Sequence, residues 1–260
     1  MESIEGRTLM RNIFLTIEYD GTNFHGWQRQ SKSRSVQGEL EKLLSKLCCQ
    51  KIEIAGASRT DAGVHAMDQK ASFSADFNMP LETLVKVANQ WLPIDIKILE
   101  AREMPLDFHA RFDAKGKKYS YRIKNTPNYH VFDRHYNTIV DKQPLDIKKM
   151  SQAAAFFLGT HDFKAFSANN GSGSVKTIRT INNIKVTCDE ELNILIEIEG
   201  QAFLYKMVRM MVGALINIGM RKHEPSAIEE ILQGRMKRIG RTAGAEGLFL
   251  EKVYYAETDA

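Results

Sequence analysis

The chain has 260 residues, 43% apolar and 26% charged, with a formal net charge of +4, the composition of an ordinary globular protein with room for one large core or two mid-sized ones. No apolar run approaches the about eighteen residues that span a bilayer, and residues 1–10 lack the apolar core of a signal peptide, so a cytoplasmic protein with no membrane partner is expected. Its three cysteines, Cys48 and Cys49 adjacent and Cys188 far away, form no C-x-x-C and suggest neither a zinc site nor a disulfide framework, in keeping with a reducing compartment.

Residues 1–10 read as a flexible N-terminus. Ile13 to Tyr19 is β-branched and aromatic and ends in the turn signal Asp20-Gly21, which predicts a strand. Val36, Leu40, Leu43, Leu44 and Leu47 share one helical face behind Ser35 as a cap. Ile52 to Ala55 and Ala71 to Phe77 predict strands on either side of a polar loop that carries Asp61. Pro80 starts a helix through Trp91 with a stripe of Leu81, Leu84, Val85, Ala88 and Leu92. Ile94 to Leu99 and Lys118 to Lys124 are further strands.

The pattern then restarts. Thr138 to Val140 is a short strand, and Pro144 to Leu158 a helix closed by Gly159. Ile181 to Thr187 and Asn193 to Glu199 form a hairpin, 204–219 a long apolar helix, Pro225 to Gln233 a short helix stopped by Gly234, and Leu248 to Tyr255 a last strand. Ala168 to Ser174 is too polar and glycine-rich to pack and reads as a mobile loop. A strand-helix-strand-strand-helix-strand order occurring about twice predicts an α+β fold of two RRM-like or ferredoxin-like halves with largely antiparallel sheets, joined around a central catalytic cleft. The halves are expected at 11–110 and 111–260.

Charge is distributed unevenly. Residues 111–124 hold Arg111, Lys115, Lys117, Lys118, Arg122 and Lys124 against Asp113 alone, with Tyr119 and Tyr121 among them. A second cluster (Lys206, Arg209, Arg221, Lys222, Arg235, Lys237, Arg238, Arg241), against Glu224, Glu229 and Glu230, spans 205–241. Either cluster alone would be a solvated face; two, with aromatics in the first, favour a polyanion such as RNA. The seven histidines show no H-x-x-x-H or H-E-x-x-H pattern, so no metal is expected. Phosphate-loop and G-x-S-x-G motifs are also absent. Asp61 stands in a glycine-containing turn. An aspartate beside glycine ordinarily shapes the turn, but Arg59 is near enough to keep a carboxylate ionised, and strand-held loops position catalytic groups. The local residues leave both readings open.

The segment Arg59-Thr60-Asp61-Ala62-Gly63-Val64-His65-Ala66 resembles the signature of the tRNA pseudouridine synthase A family. Four more segments resemble family motifs, in family order. They are Glu18 to Gln30, Asp107 to Phe112 with Lys118 to Arg122, Phe203 to Gly213, and Gly244 to Leu250. The resemblance implies a cofactor-free isomerase that converts uridine to pseudouridine in the anticodon stem-loop of tRNA, at nucleotides 38, 39 and 40, acting as a homodimer. It implies that Asp61 is the nucleophile, that Arg209 pairs with it and opposes the rise in pKa that burial under a base would bring, and that Tyr119 packs against the target base. Base extrusion is required, because the reactive atoms are inaccessible within a stacked stem. Arg59, Gln28, Arg29, Lys118 and Arg122 are the expected RNA contacts. Ser58 and Asp68 stand where many relatives have glycine, which points to altered turn shape around the Asp61 loop. The runner-up is a catalytically silent RNA-binding protein of RRM-like architecture, although no RNP1-type pattern is present. An aspartate-nucleophile hydrolase is disfavoured, since no D-x-D accompanies Asp61.

Overall fold

The computed structural model describes residues 10–141, 143–168 and 176–256. The chain forms two compact units, Met1–Ala114 with Val253–Ala260, and Lys115–Lys252. The last strand therefore returns its end to the first unit instead of staying with the second half. Met10, expected in a flexible tail, is already the first residue of a strand; the rest of that tail, and almost all of the glycine-serine loop, lie outside the described residues.

The first unit contains β1 (Met10–Tyr19), α1 (Val36–Leu47), β2 (Ala55–Gly56), β3 (His65–Asp76), α2 (Leu81–Trp91) and β4 (Ile96–Met104). Its strands pair antiparallel in the order β4-β1-β3-β2, so β1 and β3 are central. This is the ferredoxin-like arrangement expected of a βαββαβ unit. β1 is buried on both faces over most of its length. Ile13, Leu15 and Ile17 are wholly buried on one face. On the other, Phe14 meets Phe108 and Tyr255 edge-on at 5.0 and 5.1 Å. Ser35 caps α1 by accepting from Gly38 N at 3.3 Å, which satisfies one of the N–H groups a helix start leaves open.

Two sequence expectations change here. Of the expected Ile52–Ala55 strand only Ala55 pairs with a neighbour, together with Gly56 beyond it. Upstream, Ile52 N donates to Ser45 Oγ (2.9 Å) and Ile54 N to Glu41 Oε1 (3.0 Å), so helix side chains replace a ladder. β3 begins at His65, six residues earlier than Ala71.

The second unit contains β5 (Gly116–Lys124), β6 (Thr138–Ile139), α3 (Ile147–Ala155), β7 (Gly159–Asp162), β8 (Ile178–Cys188), β9 (Asn193–Gly200), α4 (Met207–Gly219), α5 (Ala227–Leu232) and β10 (Leu248–Tyr254), whose last two residues belong to the first unit. β5, β9, β8 and β7 pair antiparallel in that order, β10 flanks β5, and β6 joins β5 in parallel. Without the short β6 and β7, the spatial order β10-β5-β9-β8 repeats the fourth-first-third-second order of the first unit. α4 is buried along most of its length. It meets α3 so closely at Gly219 that an added Cβ would lie 2.7 Å from Met150 Sδ. α3 ends at Ala155, before the expected Leu158, because Phe157 turns into a cluster with Phe163 and Phe166. Gly159, expected to cap the helix, instead opens the exposed strand β7 with φ of +90°. The fold is α+β with mostly antiparallel sheets. Among the described residues, no helix is long and apolar enough to cross a membrane.

Candidate active site

Asp61 lies on the loop from Ala57 to Val64, which leads from β2 into β3. The loop closes on itself where Val64 N donates to Asp61 O (3.2 Å), with Gly63 at φ of +80°, a conformation open to glycine at little cost. The Glu18–Gln30 motif supplies its frame. Trp27 N donates to Thr60 O (3.1 Å) and Gly63 N to Phe24 O (3.2 Å). At Gly26, with φ of +91°, an added Cβ would stand 2.5 Å from Thr60 O; at Gly21 it would stand 2.1 Å from Val64 O. Gly56 makes room for the buried Trp27 ring, which a Cβ there would meet at 2.4 Å. Asp20 shapes the preceding turn, accepting from Thr22 N (2.9 Å) and Thr22 Oγ1 (2.6 Å). Gly21 N donates to Nδ1 of the buried His65 at 3.0 Å.

From the other side the loop is held by β1 and β3. Gln69 Oε1 accepts from Ser58 N (3.2 Å) and Gln69 Nε2 donates to Ser58 O (2.7 Å). Tyr19 Oη and Thr60 Oγ1 are 2.8 Å apart. Sequence patterning contained a signal for Gln69 that the motif reading passed over: it shares the inward face of β3 with Ala71, Phe73 and Ala75. A polar residue on such a face must find partners. Asp68, expected to alter a turn, is inside β3, where it accepts from Val253 N (3.1 Å) and pairs with Lys70 (2.8 Å).

In the second unit, Arg209 occupies the first turn of α4. Its Nε donates to Ala243 O (2.8 Å), and Ala243 N donates back to Arg209 O (3.0 Å). The 240–243 segment reaches α4 only because Gly213 lacks a side chain: a Cβ there would lie 1.8 Å from Arg241 O. The neighbouring Gly244 O accepts from Tyr121 Oη (2.9 Å). That hydroxyl is 2.5 Å from Thr138 Oγ1, which in turn donates to Glu246 Oε1 (2.7 Å). Burial pushes the Tyr121 phenol above its ordinary range, with the Thr138 hydrogen bond and the Arg209 charge acting the other way. Tyr119 shares the buried face of β5 with Tyr121, and its ring meets Phe203 edge-on at 5.0 Å.

The expected RNA contacts are placed differently from one another. Arg59 is exposed beside Asp61. Gln28 Nε2 donates to Gln37 Oε1 (2.8 Å), and Arg29 pairs at 2.7 Å with the buried Glu41. Lys118 pairs with Glu197 (2.7 Å), while Arg122 lies over the Phe249 ring (3.8 Å) and 3.5 Å from Glu251. Arg111, Lys115, Arg235, Lys237 and Arg241 are exposed. Among the described residues, no group of three or more His, Cys, Asp or Glu is gathered in a way that could hold a metal ion.

Comparison with known proteins bears on the whole of this arrangement. A family model described as tRNA pseudouridine synthase matches residues 15–113 and 153–256, which take in the Asp61 loop and Arg209 alike. The chain belongs to the tRNA pseudouridine synthase family. A relative from Acetivibrio thermocellus named tRNA pseudouridine synthase A is 44% identical over 247 residues, covering 95% of this chain and 100% of the relative. One of the same name from Ruminiclostridium cellulolyticum is also 44% identical with the same coverage. A Clostridium tetani relative named tRNA pseudouridine synthase A 2 is 40% identical over 250 residues, again 95% of this chain and 100% of the relative. A solved Cbf5-Nop10-Gar1 complex aligns with TM-score 0.38 and 10% identity over 93% of this chain and 59% of that one, a likeness too small to carry an argument.

Proposed function

We propose that this chain isomerises uridine to pseudouridine in tRNA, with Asp61 as the nucleophile. The reaction breaks the N1–C1′ bond, turns the base and joins C5 to C1′. It is redox-neutral and transfers no group, so the chemistry asks for a correctly held carboxylate and an extruded base. The observation that carries the reading is the Asp61 loop. Family membership supplies the reaction class, and the structure supplies a carboxylate on a tight turn framed by main-chain hydrogen bonds from the Glu18–Gln30 motif. Such rigid placement is what chemistry at one atom of a large substrate requires.

In this proposal Arg209 is the cation that keeps Asp61 ionised once an extruded base excludes water. Tyr119 supports the base, and Arg59 contacts the backbone of the extruded nucleotide or fills the gap it leaves. Gln28, Arg29, Lys118 and Arg122 remain candidate RNA contacts. The exposed Arg111, Lys115, Arg235, Lys237 and Arg241 are additional phosphate partners, because their charges are not already matched by the glutamates that hold Lys118 and Arg122. The target positions are nucleotides 38, 39 and 40 of the anticodon stem-loop, and the acting species is a homodimer in the cytoplasm, as the motif resemblance implies.

The deciding experiment is Asp61→Asn, assayed for pseudouridine in a tRNA transcript alongside tRNA binding. Loss of product with binding retained is expected. Product formed at the wild-type rate would overturn the assignment, and a wild type that binds tRNA without isomerising it would favour the silent RNA-binding alternative.

A further inference from the structure

Gln69 and Tyr19 are almost inaccessible, with 0% and 5% of their surface exposed, so neither can touch a substrate directly. Both nevertheless act on the segment that carries Asp61. The Gln69 amide pairs with the N–H and the carbonyl of Ser58 together, as a neighbouring strand would, at 3.2 and 2.7 Å. Its remaining N–H reaches Tyr19 Oη at 3.4 Å, and that hydroxyl pairs with Thr60 Oγ1 at 2.8 Å. The two residues flanking Arg59 are thereby tied to the central strands β1 and β3, and the second of them directly precedes Asp61.

We propose that Gln69 and Tyr19 are positioning residues, and that the Gln69–Tyr19–Thr60 relay fixes where the Asp61 carboxylate stands relative to the extruded base. This rests on the reading of Asp61 as nucleophile. The physical case is one of geometry. Ser58 and Thr60 lie beyond the end of β2; there the Gln69 amide pairs with the Ser58 main chain, and Thr60 is held by Trp27 N at its carbonyl and by Tyr19 at its side chain. Removing one hydroxyl leaves the core volume intact but frees Thr60 to shift, and a displacement of about 1 Å at a reacting group costs about 100-fold in rate.

The test measures single-turnover pseudouridine formation, tRNA Kd and thermal unfolding for wild type, Tyr19→Phe, Thr60→Val and Thr60→Ser. Tyr19→Phe and Thr60→Val should each slow the chemical step by about 10- to 100-fold while Kd stays within about twofold of wild type and the protein remains folded at the assay temperature. Thr60→Ser keeps the hydroxyl and should recover most of the rate. The Tyr19→Phe/Thr60→Val double variant should be no slower than the slower single variant, because both remove the same hydrogen bond. Wild-type rates in both single variants, or rate losses that merely follow the fraction unfolded, would overturn the proposal. An inactive wild type would instead overturn the isomerase reading beneath it.

Discussion

Replacing Gly26 by alanine should damage the reaction more than the fold. At φ of +91° an L side chain is strained, at about 1–3 kcal/mol. The new Cβ would also stand 2.5 Å from Thr60 O, where ordinary contact begins at 3.4 Å. The two segments must therefore part by about 0.9 Å (3.4 − 2.5), and the part that gives is the backbone of Thr60 and Asp61, because Trp27 next to Gly26 is locked in the core. Strain and parting together should lower stability by at least about 2 kcal/mol, or about 4–8 °C in Tm for a chain of this size. The displacement predicts a loss approaching 100-fold in the chemical step. Gly234→Ala separates the two effects. Gly234 has φ of +71° with nothing within 4 Å of its would-be Cβ, so that variant carries the strain without the clash and should keep the wild-type rate. Single-turnover assays with scanning calorimetry measure both quantities. A Gly26→Ala enzyme that loses stability yet turns over at the wild-type rate would refute the claim that this glycine sets the height of the Asp61 loop.

Other expectations follow from the same contacts. Gly213→Ala would put a Cβ 1.8 Å from Arg241 O; it should unseat the 240–243 segment, release Arg209 from Ala243 O and lower both Tm and activity, and near-native values of both would refute it. Burial raises the phenol pKa of both Tyr121 and Tyr255. Above about pH 10 the unfolded chain releases these protons while the folded chain keeps them, so stability should fall as pH rises, by up to about 1.4 kcal/mol per pH unit for each. Denaturant melts at pH 9 and 11 should show a smaller drop for Tyr255→Phe than for wild type, and an equal drop would count against it. Affinity for tRNA should decline about tenfold or more between 50 and 200 mM salt as phosphate contacts release counterions; binding indifferent to salt would contradict a role for the exposed arginines and lysines.

Much of this could be read before any coordinates. α1 with its Ser35 cap and β9 announce themselves by period, because each buries one face, and α4 announces itself by an apolar run that is buried almost all round. The failures have separate causes. Ile52 to Ile54 looks like a strand and is buried like one, yet its N–H groups go to Ser45 and Glu41; a side chain had taken the partner's place, and apolar pattern says nothing about which partner an N–H finds. β7 was missed because Gly159–Asp162 is a polar, mostly exposed edge with no apolar alternation. At the site, the Asp61 motif was legible as a string of letters, whereas its frame was not. Gln69, Tyr19 and Gly26 lie eight, forty-two and thirty-five positions from Asp61 in sequence, and only the pairing of β1 with β3 brings them to the loop. The paired state of Lys118 and Arg122 was equally invisible, since their glutamates come from β9 and β10.

The division of the chain also bears on how the protein is made. Phe14 and Phe108 belong to a unit whose third aromatic partner is Tyr255, 241 positions after Phe14 (255 − 14). Tyr255 Oη donates to Ala110 O at 2.6 Å, and Val253 N donates to Asp68. On the ribosome, the strands that carry Asp61 emerge early but stay incomplete on one face, while 115–252 is a continuous stretch that can finish first. Domains usually mature in order of synthesis; here the unit synthesised first would be the last to close. A released chain truncated after Lys252 should therefore leave the Asp61 loop open to protease while the later unit is already resistant.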